Sequence, residues 1–419
     1  MKYIPRIVDA EINELMEIMG AVLIEGCKWC GKSTTGLHHA KSFIEFQNPD
    51  KKQEYDEIKN TQPSLFLKGD KPRMFDEWQM YPIVWDSIRT DVDHSSEKGQ
   101  YILTGSAKPS EGEVMHTGTG RISRVLMRPM SLFESGESTG EVSFRDIIDG
   151  KDISGVSKLS LEDLASIIVR GGWPASLEVK SDAKYRYAKE YVKSLVHEEV
   201  KIVDGVKRNP EKMQNVLRSL ARNISTQVSY STIETDVKNT FDDEISRPTL
   251  NDYLNTLEKL FVIENMNATN LNFRSKYALR TKPKKYFVDP SIATAILEMK
   301  PQDLINDLNT FGFLFESLCM RDLKIYTSSF NGDITFYRDE KEFEVDAILR
   351  TSSGKWGAIE IKLGAGYVDE AAQNLLKFKE RVDTKKCGEP SFLMVLTGTK
   401  YSYKRPDGVY VVSIGCLKN

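Results

Sequence analysis

Apolar and polar positions change rhythm several times along the 419-residue chain. The first twenty residues, "MKYIPRIVDAEINELMEIMG", alternate charge with apolar residues at helical spacing and hold no uninterrupted apolar core, unlike a secretory signal. A short apolar run, "GAVLIEG", reads as a strand, and "STTGLHHAKSFIEF", with apolar and small residues on one face, as the helix after it. "QYILTGSAK" and "RVLMRPMSL" add strands. "LSLEDLASIIVR" predicts a helix capped at Gly171-Gly172, which Trp173-Pro174 stops, a place for packing and a hinge more than for chemistry. Residues 181–205 read as one charged helix, on which His197 is isolated. Three further helices follow in "EKMQNVLRSLARNI", "YSTIETDVKN" and "SRPTLNDYLNTLEKL", the last capped by Ser246 with Pro248 at its first position, running into a strand, "FVIEN". Nearer the end, "FEVDAILR" and "WGAIEIKL" alternate as two strands joined by "TSSGK", and a helix, "VDEAAQNLLKFKERV", and a strand, "SFLMVLTG", follow.

Strands alternating with helices define an α/β chain, and its length divides into four parts: a first α/β domain over 1–135, a helical connector over 136–205, a winged-helix-like module with a basic segment over 206–290, and a second α/β domain over 291–419. The balance of 58 Lys and Arg against 61 Asp and Glu, a net charge of −3, argues against a uniformly basic nucleic-acid coat and leaves room for a local basic patch. No stretch approaches the 18 apolar residues of a membrane span, so no membrane partner is expected. Five cysteines, three of them widely scattered, make no disulfide framework and point to the reducing cytoplasm.

One pair of cysteines, in "EGCKWCGKST", poses a choice between a redox or zinc pair and something else. From Gly26 the segment fits G-x-x-x-x-G-K-[ST] without mismatch, between a strand and a helix, which is the setting a phosphate-binding loop requires. Backbone N–H groups from Gly26, Cys27, Lys28, Trp29, Cys30 and Gly31 and the start of the helix would face the phosphates of ATP. Lys32 would reach the β- and γ-phosphates, Ser33 would ligate Mg²⁺, and Thr34 follows in the first helical turn. A zinc site would need a second ligand pair, which the sequence lacks, so the two thiols are incidental to the loop.

Such a site needs an acidic residue at the end of a neighbouring strand. "PRMFDEWQ" offers Asp76 for the metal and Glu77 to orient or deprotonate the attacking water, although an Asp-Glu pair also suits a solvated turn. After "QYILTGSAK", Ser106 is placed to sense the γ-phosphate or simply to end a strand. Arg121 and Arg124, in a Gly-rich stretch before "RVLMRPMSL", would stabilise charge on the transferring phosphoryl group, in cis or across a subunit interface, or stand as solvated loop arginines. The order of "VLIEGCKWCGKSTT", "MFDEWQ", "YILTGSA", "GRISRVLMRPMSLFE" and "RGGWPAS" resembles prokaryotic AAA-type ATPases that carry a C-terminal domain of unknown function. The resemblance runs over nearly the whole chain and implies an ATP-binding amino-terminal domain.

Two further features carry candidate chemistry. "LNFRSKYALRTKPKKYF" holds Arg274, Lys276, Arg280, Lys282, Lys284 and Lys285 with no acidic residue among them, suited to tracking a DNA or RNA backbone or to a protein partner. In the last domain, alternation puts Glu360 and Lys362 on one face of a strand, and hairpin pairing would bring Asp346 beside them. Two carboxylates and a lysine so placed can hold Mg²⁺ or Mn²⁺ and position water for attack on a phosphodiester. This Asp…Glu-x-Lys arrangement resembles the PD-(D/E)xK restriction-type nucleases, which implies an α-β-β-β-α-β order and a further metal-binding glutamate, Glu316, on the preceding helix. Alternating charge also describes any half-exposed strand, and the scaffold serves equally as a silent binding domain. Two functions therefore stand open: ATP-gated action on, or binding of, nucleic acid, and an ATP-dependent switch binding a protein partner, alone or as a homo-oligomer.

Overall fold

The computed structural model describes residues 3–107, 117–200, 206, 208–241, 244–269 and 281–419. The chain forms two compact units, the first built on Met1–Pro129 with Lys201–Val206 and Thr256–Val262, the second on Met130–Val200, Lys207–Asn255 and Ile263–Asn419. The parts expected at 136–205, 206–290 and 291–419 thus fall largely within one unit.

The first unit is built on a five-stranded parallel sheet of β1 (Ala21–Glu25), β2 (Ser42–Glu45), β3 (Arg73–Asp76), β4 (Tyr101–Gly105) and β5 (Ile122–Leu126), in the order β2-β3-β4-β1-β5. The central strands "AVLIE" and "YILTG" are almost wholly buried, as strands covered on both faces must be. Phe66, Phe75, Trp78, Trp85 and Leu103 fill the core on one side. Parallel order brings the carboxyl ends of β1, β3 and β4 to the same edge, where ligands bind in open α/β sheets.

In the second unit the Leu161–Arg170 helix has the expected ends. Ser160 and Asp163 form a reciprocal capping box, and Gly171, with φ of 79°, closes the helix. The stretch expected as one helix from 181 divides into a 3₁₀ turn, a helix over Arg186–Ser194 and a π-helical turn over Leu195–Glu199. Helices at Pro210–Arg222, Tyr230–Phe241 and Arg247–Lys259 follow, with Pro248 one residue later in the last helix than expected and Ser246 Oγ accepting from Thr249 N at 3.3 Å. An antiparallel pair lies beyond them.

The remaining strands, in chain order, are β6 (Val142–Ser143), β7 (Gly155–Val156), the antiparallel pair β8 (Ile263–Met266) and β9 (Lys284–Phe287), then β10 (Asp333–Arg338), β11 (Glu344–Arg350), β12 (Trp356–Lys362), β13 (Phe392–Thr397), β14 (Tyr401–Lys404), β15 (Tyr410–Ser413) and β16 (Leu417–Lys418). A seven-stranded sheet runs β10-β11-β12-β13-β15-β14-β7. Helix Leu308–Ser328, β10, β11, β12, helix Val368–Arg381 and β13 occur in the α-β-β-β-α-β order, with β11 antiparallel and β13 parallel to β12. Trp356, Leu375, Phe378, Val395 and Val411 pack beneath it. The sheet's far edge is completed by residues from early in the chain, since β7 pairs with β14, and β6 pairs with β16 in a ribbon of two.

Candidate functional sites

β1 hands directly into a loop whose backbone turns left-handed at Trp29 (φ 65°) and Gly31 (φ 105°) before the Lys32–His39 helix. Gly26 is obligatory here, because a Cβ on it would stand 2.1 Å from the carbonyl oxygen of Met127 at the end of β5. Cys27 and Cys30 are fully buried reduced thiols. Cys30 Sγ stands 3.5 Å from the Met127 carbonyl, packing the loop's underside. The buried Lys32 ammonium folds back onto the carbonyl of Cys27 at 2.8 Å. Arg6, also buried, braces the loop by donating to the carbonyls of Cys30 (2.9 Å) and Arg128 (2.8 Å).

The acidic pair stands at the same edge. Asp76 Oδ1 accepts from Ser33 Oγ at 2.7 Å and from Thr104 Oγ1 at 2.6 Å. Glu77, with φ of 52°, is buried, and its carboxylate accepts from Ser106 Oγ at 2.8 Å and from Gln79. Thr104 Oγ1 also accepts from Glu77 N at 3.2 Å, so this one hydroxyl fixes both acids. Thr104 was not singled out in the sequence as a site residue, and its signal is a polar residue closing the apolar strand "YILT", beside the end of β3. A hydroxyl and a carboxylate 2.7 Å apart, both hard oxygen donors beside a phosphate loop, suit Mg²⁺.

The two arginines are not in a loop reaching the phosphates. Arg124 lies within β5, paired with Glu25 at 2.9 Å and set over the Trp85 ring. Arg121 precedes β5 and accepts at its carbonyl from Ala21 N, at the amino end of β1, while its guanidinium pairs with Asp93 at 2.5 Å. Five strand residues separate that end from the loop, about 16 Å at 3.3 Å per residue. The backbone of Arg121 thus lies at the opposite end of β1 from the phosphate loop.

In the second unit, Glu316, Asp346, Glu360 and Lys362 come together, but not alone. Lys362 Nζ stands 3.0 Å from Glu360 Oε2 and 3.8 Å from Asp346 Oδ2, and Asp346 Oδ2 also accepts from Ile361 N at 2.8 Å. Glu360 Oε1 accepts from Asn374 at 2.7 Å. A second ammonium, Lys284 from β9, is 3 % exposed and lies 2.7 Å from Glu344 Oε1, 3.4 Å from Glu316 Oε1 and 3.9 Å from Asp346 Oδ1. Tyr286, two residues on, donates to the same Glu316 oxygen at 2.7 Å, and Glu344 Oε2 faces Arg338 at 3.3 Å. Burial, aided by the charge of Asp346, pushes the Glu360 carboxyl up to about 8 against the opposing Lys362 and Asn374. Burial likewise raises Glu316, with Lys284 opposing. Lys284 goes up although burial alone would lower it, because the charges of Glu316, Asp346 and Glu344 outweigh burial. An 820 Å³ cavity opens beside Glu316, Glu360, Lys362 and Asn374, with exposed Phe313 and Tyr367 among its walls.

Two lysines expected to face a phosphate backbone are thus turned inward: Lys284 into the carboxylates, and the buried Lys285 onto Asn265 Oδ1 at 2.7 Å. Lys282 is exposed, whereas Arg274, Lys276 and Arg280 lie outside the described residues. Among the described residues no group of three or more carboxylate, thiol or imidazole side chains converges as a metal-binding set, and no helix is long and apolar enough to cross a membrane.

No curated protein matches the chain. Among solved structures it is similar to a Walker-type ATPase of Pyrococcus abyssi (17% identity, 70% of this chain and 96% of that one, TM-score 0.43) and to the ORC2 protein of Aeropyrum pernix (10% identity, 73% and 97%, TM-score 0.33). Residues 161–303 match a domain of unknown function (DUF8612), and residues 311–417 match another (DUF4143). Residues 19–135 match the AAA domain family, on the stretch that carries the glycine loop, Asp76, Glu77 and Thr104. Residues 19–135 are thus similar to the AAA domain family, which supports a P-loop ATPase-like domain in the amino-terminal region.

Proposed function

We propose that this protein binds and hydrolyses ATP with Mg²⁺ and that nucleotide state controls a nuclease-like carboxyl-terminal domain that acts on or binds nucleic acid. The observation that carries the ATPase half is the shared Asp76 carboxylate, held between Ser33 and Thr104 at the mouth of the loop. On ATP binding, Lys32 would exchange its 2.8 Å hydrogen bond to the Cys27 carbonyl for phosphate oxygens. Ser33 and Asp76 would hold Mg²⁺, which supplies charge neutralisation on the phosphates. Glu77, aimed by Ser106 and Gln79, would orient the attacking water and take its proton. Breaking its bond to Ser106 when a γ-phosphate arrives would make that hydroxyl a nucleotide sensor.

For the other half, support comes from the α-β-β-β-α-β order with Glu316, Asp346, Glu360 and Lys362 drawn to one place. Three helices followed by the β8–β9 pair are consistent with a winged-helix-like module ahead of it. A second reading, a switch that binds a protein partner through a silent nuclease-like scaffold, is favoured by the inward turn of Lys284 and Lys285. Steady-state ATP turnover tests the first half: Lys32→Ala should abolish it, and retained turnover would remove the ATPase mechanism. Incubation with DNA and RNA in Mg²⁺ or Mn²⁺, with and without ATP, separates the readings. Cutting lost in Asp346→Ala supports the nuclease. Absence of cutting together with absence of binding at low salt supports the switch.

A further inference from the structure

We infer that the ammonium of Lys284 is a built-in cation that takes the place of the divalent metal in the carboxyl-terminal carboxylate site, so that this domain is metal-free in its native state. The inference rests on the nuclease-like reading of that fold and narrows it from metal-dependent cutting of nucleic acid to binding.

The donors show why metal and lysine exclude one another. A hard divalent cation of this kind needs about six oxygen ligands, with carboxylates contributing at least part of the set. Here each carboxylate is already engaged. Asp346 Oδ1 faces Lys284 and its Oδ2 takes Ile361 N and faces Lys362. Glu316 Oε1 receives both Tyr286 and Lys284, Glu360 is held by Asn374 and Lys362, and Glu344 is shared between Lys284 and Arg338. Lys284 faces three carboxylates, drawn from two elements, the Leu308–Ser328 helix and β11. That is the number a metal would recruit, and the ammonium is delivered by β9, an element outside the α-β-β-β-α-β core.

Charge arithmetic agrees. Four carboxylates (Glu316, Glu344, Asp346, Glu360) face three cations (Lys284, Lys362, Arg338). With the cluster so nearly neutralised, little field is left to strip water from a divalent ion, whose desolvation is costly. β9 fixes the ammonium in place: Lys284 and Tyr286 share one face of the strand, both buried, and its neighbour Lys285 is anchored to Asn265 on the other. Such a lysine is tethered, so it competes with solution metal at a high effective concentration.

The test is Mn²⁺ binding to the full chain without nucleotide, read from loss of the free-ion EPR signal. Wild type should show no site abolished by Asp346→Asn. Lys284→Met, which keeps the length and apolar stem, should gain a site at least about tenfold tighter, the factor that 1.4 kcal/mol represents, and Lys284→Met/Asp346→Asn should lose it again. A wild-type Mn²⁺ site removed by Asp346→Asn would overturn the inference, and so would a folded Lys284→Met chain that binds no more metal than wild type. Should Lys284→Met fail to fold by circular dichroism, acylation of the wild type with acetic anhydride decides. Lys284 should stay unlabelled with and without millimolar Mn²⁺, whereas labelling that rises with Mn²⁺ would mean that metal displaces it. Mn²⁺ binding without nucleic-acid cutting in Lys284→Met would uphold the inference while removing the nuclease reading, and cutting by a metal-loaded wild type would do the reverse.

Discussion

Removal of Arg321 should cost the second unit heavily. Its guanidinium donates to Asp289 Oδ2 at 2.8 Å and to Asp322 Oδ1 at 2.9 and 2.7 Å, with all three side chains at 1 % exposure or less. Asp289 also accepts from the backbone N–H of Gly172 and Ser291, and Asp322 Oδ2 from that of Leu132. The arginine therefore knots together residues near 132, 172, 289 and 322. Arg321→Met would keep the apolar volume and leave two carboxylates buried without their counter-charge. Breaking a buried pair from one side costs about 3–5 kcal/mol, and at roughly 2–4 °C per kcal/mol for a unit of this size the melting temperature should fall by about 10 °C. The sign of the pH dependence is fixed as well. Burial, outweighing the Arg321 charge and the Leu132 N–H, pushes the Asp322 carboxyl up to about 6, above the ordinary value of about 3.9. Stability from that group is present below the ordinary value and is lost as pH rises through about 6. Removing Arg321 raises the carboxyl further, so the gap between variant and wild type should be wide near neutral pH and should narrow toward about pH 5, as protonation relieves the orphaned charge. Thermal melts followed by circular dichroism across that range measure both quantities. A drop under about 2 °C, or a gap that does not change with pH, would refute the assignment of this network as an uncompensated-charge lock.

Two further outcomes concern the phosphate-loop site. Thr104→Val keeps the shape of the side chain but leaves Asp76 and Glu77 N without their shared hydroxyl, a loss of about 1–3 kcal/mol. ATP turnover should fall roughly tenfold with an unchanged circular-dichroism spectrum, and full activity would show that the hydroxyl positions neither acid. Gly26→Ala drives a Cβ to within 2.1 Å of the Met127 carbonyl at a φ of +154°, so binding of a fluorescent ATP analogue should weaken more than about tenfold through the strain. Binding equal to wild type would mean that the loop re-forms elsewhere.

How far the sequence reveals these sites depends on how local each signal is. The phosphate loop occupies eight consecutive residues, and its strand and helix flank it directly, so pattern alone places Gly26 to Ser33. Asp76 and Glu77 are legible because parallel order puts the ends of adjacent strands at one edge. The sequence predicts that the strand after Arg121 begins at Arg124, whereas β5 runs from Ile122 to Leu126, which sets Arg121 at the amino end of the sheet. In the second unit, alternation along "FEVDAILR" and "AIEIKL" is enough to bring Asp346, Glu360 and Lys362 together. It cannot supply Lys284, which lies 32 residues before its partner Glu316 and on a strand whose sequence reads as a basic surface. The charges of "KPKKYF" are visible, but the face on which each lands is decided by pairing with β8. Two-residue strands such as β6 and β7 show no alternation at all.

Those two short strands bear on how the protein is made. Ser143 Oγ bonds to the carbonyl of Asn419 across 276 residues, and Tyr410 Oη bonds to the carbonyl of Lys151 across 259. At the usual elongation rate of about 5–20 residues per second, residues 142–156 wait roughly 12–55 s on the ribosome for the strands that cover them. During that interval their edges, and the apolar faces of Val142 and Phe144 that become fully buried, are open to other chains. The pairing of β6 and β7 therefore completes only after residues 401–419 have been made, so loss of residues 417–419 should leave the β6 edge uncovered.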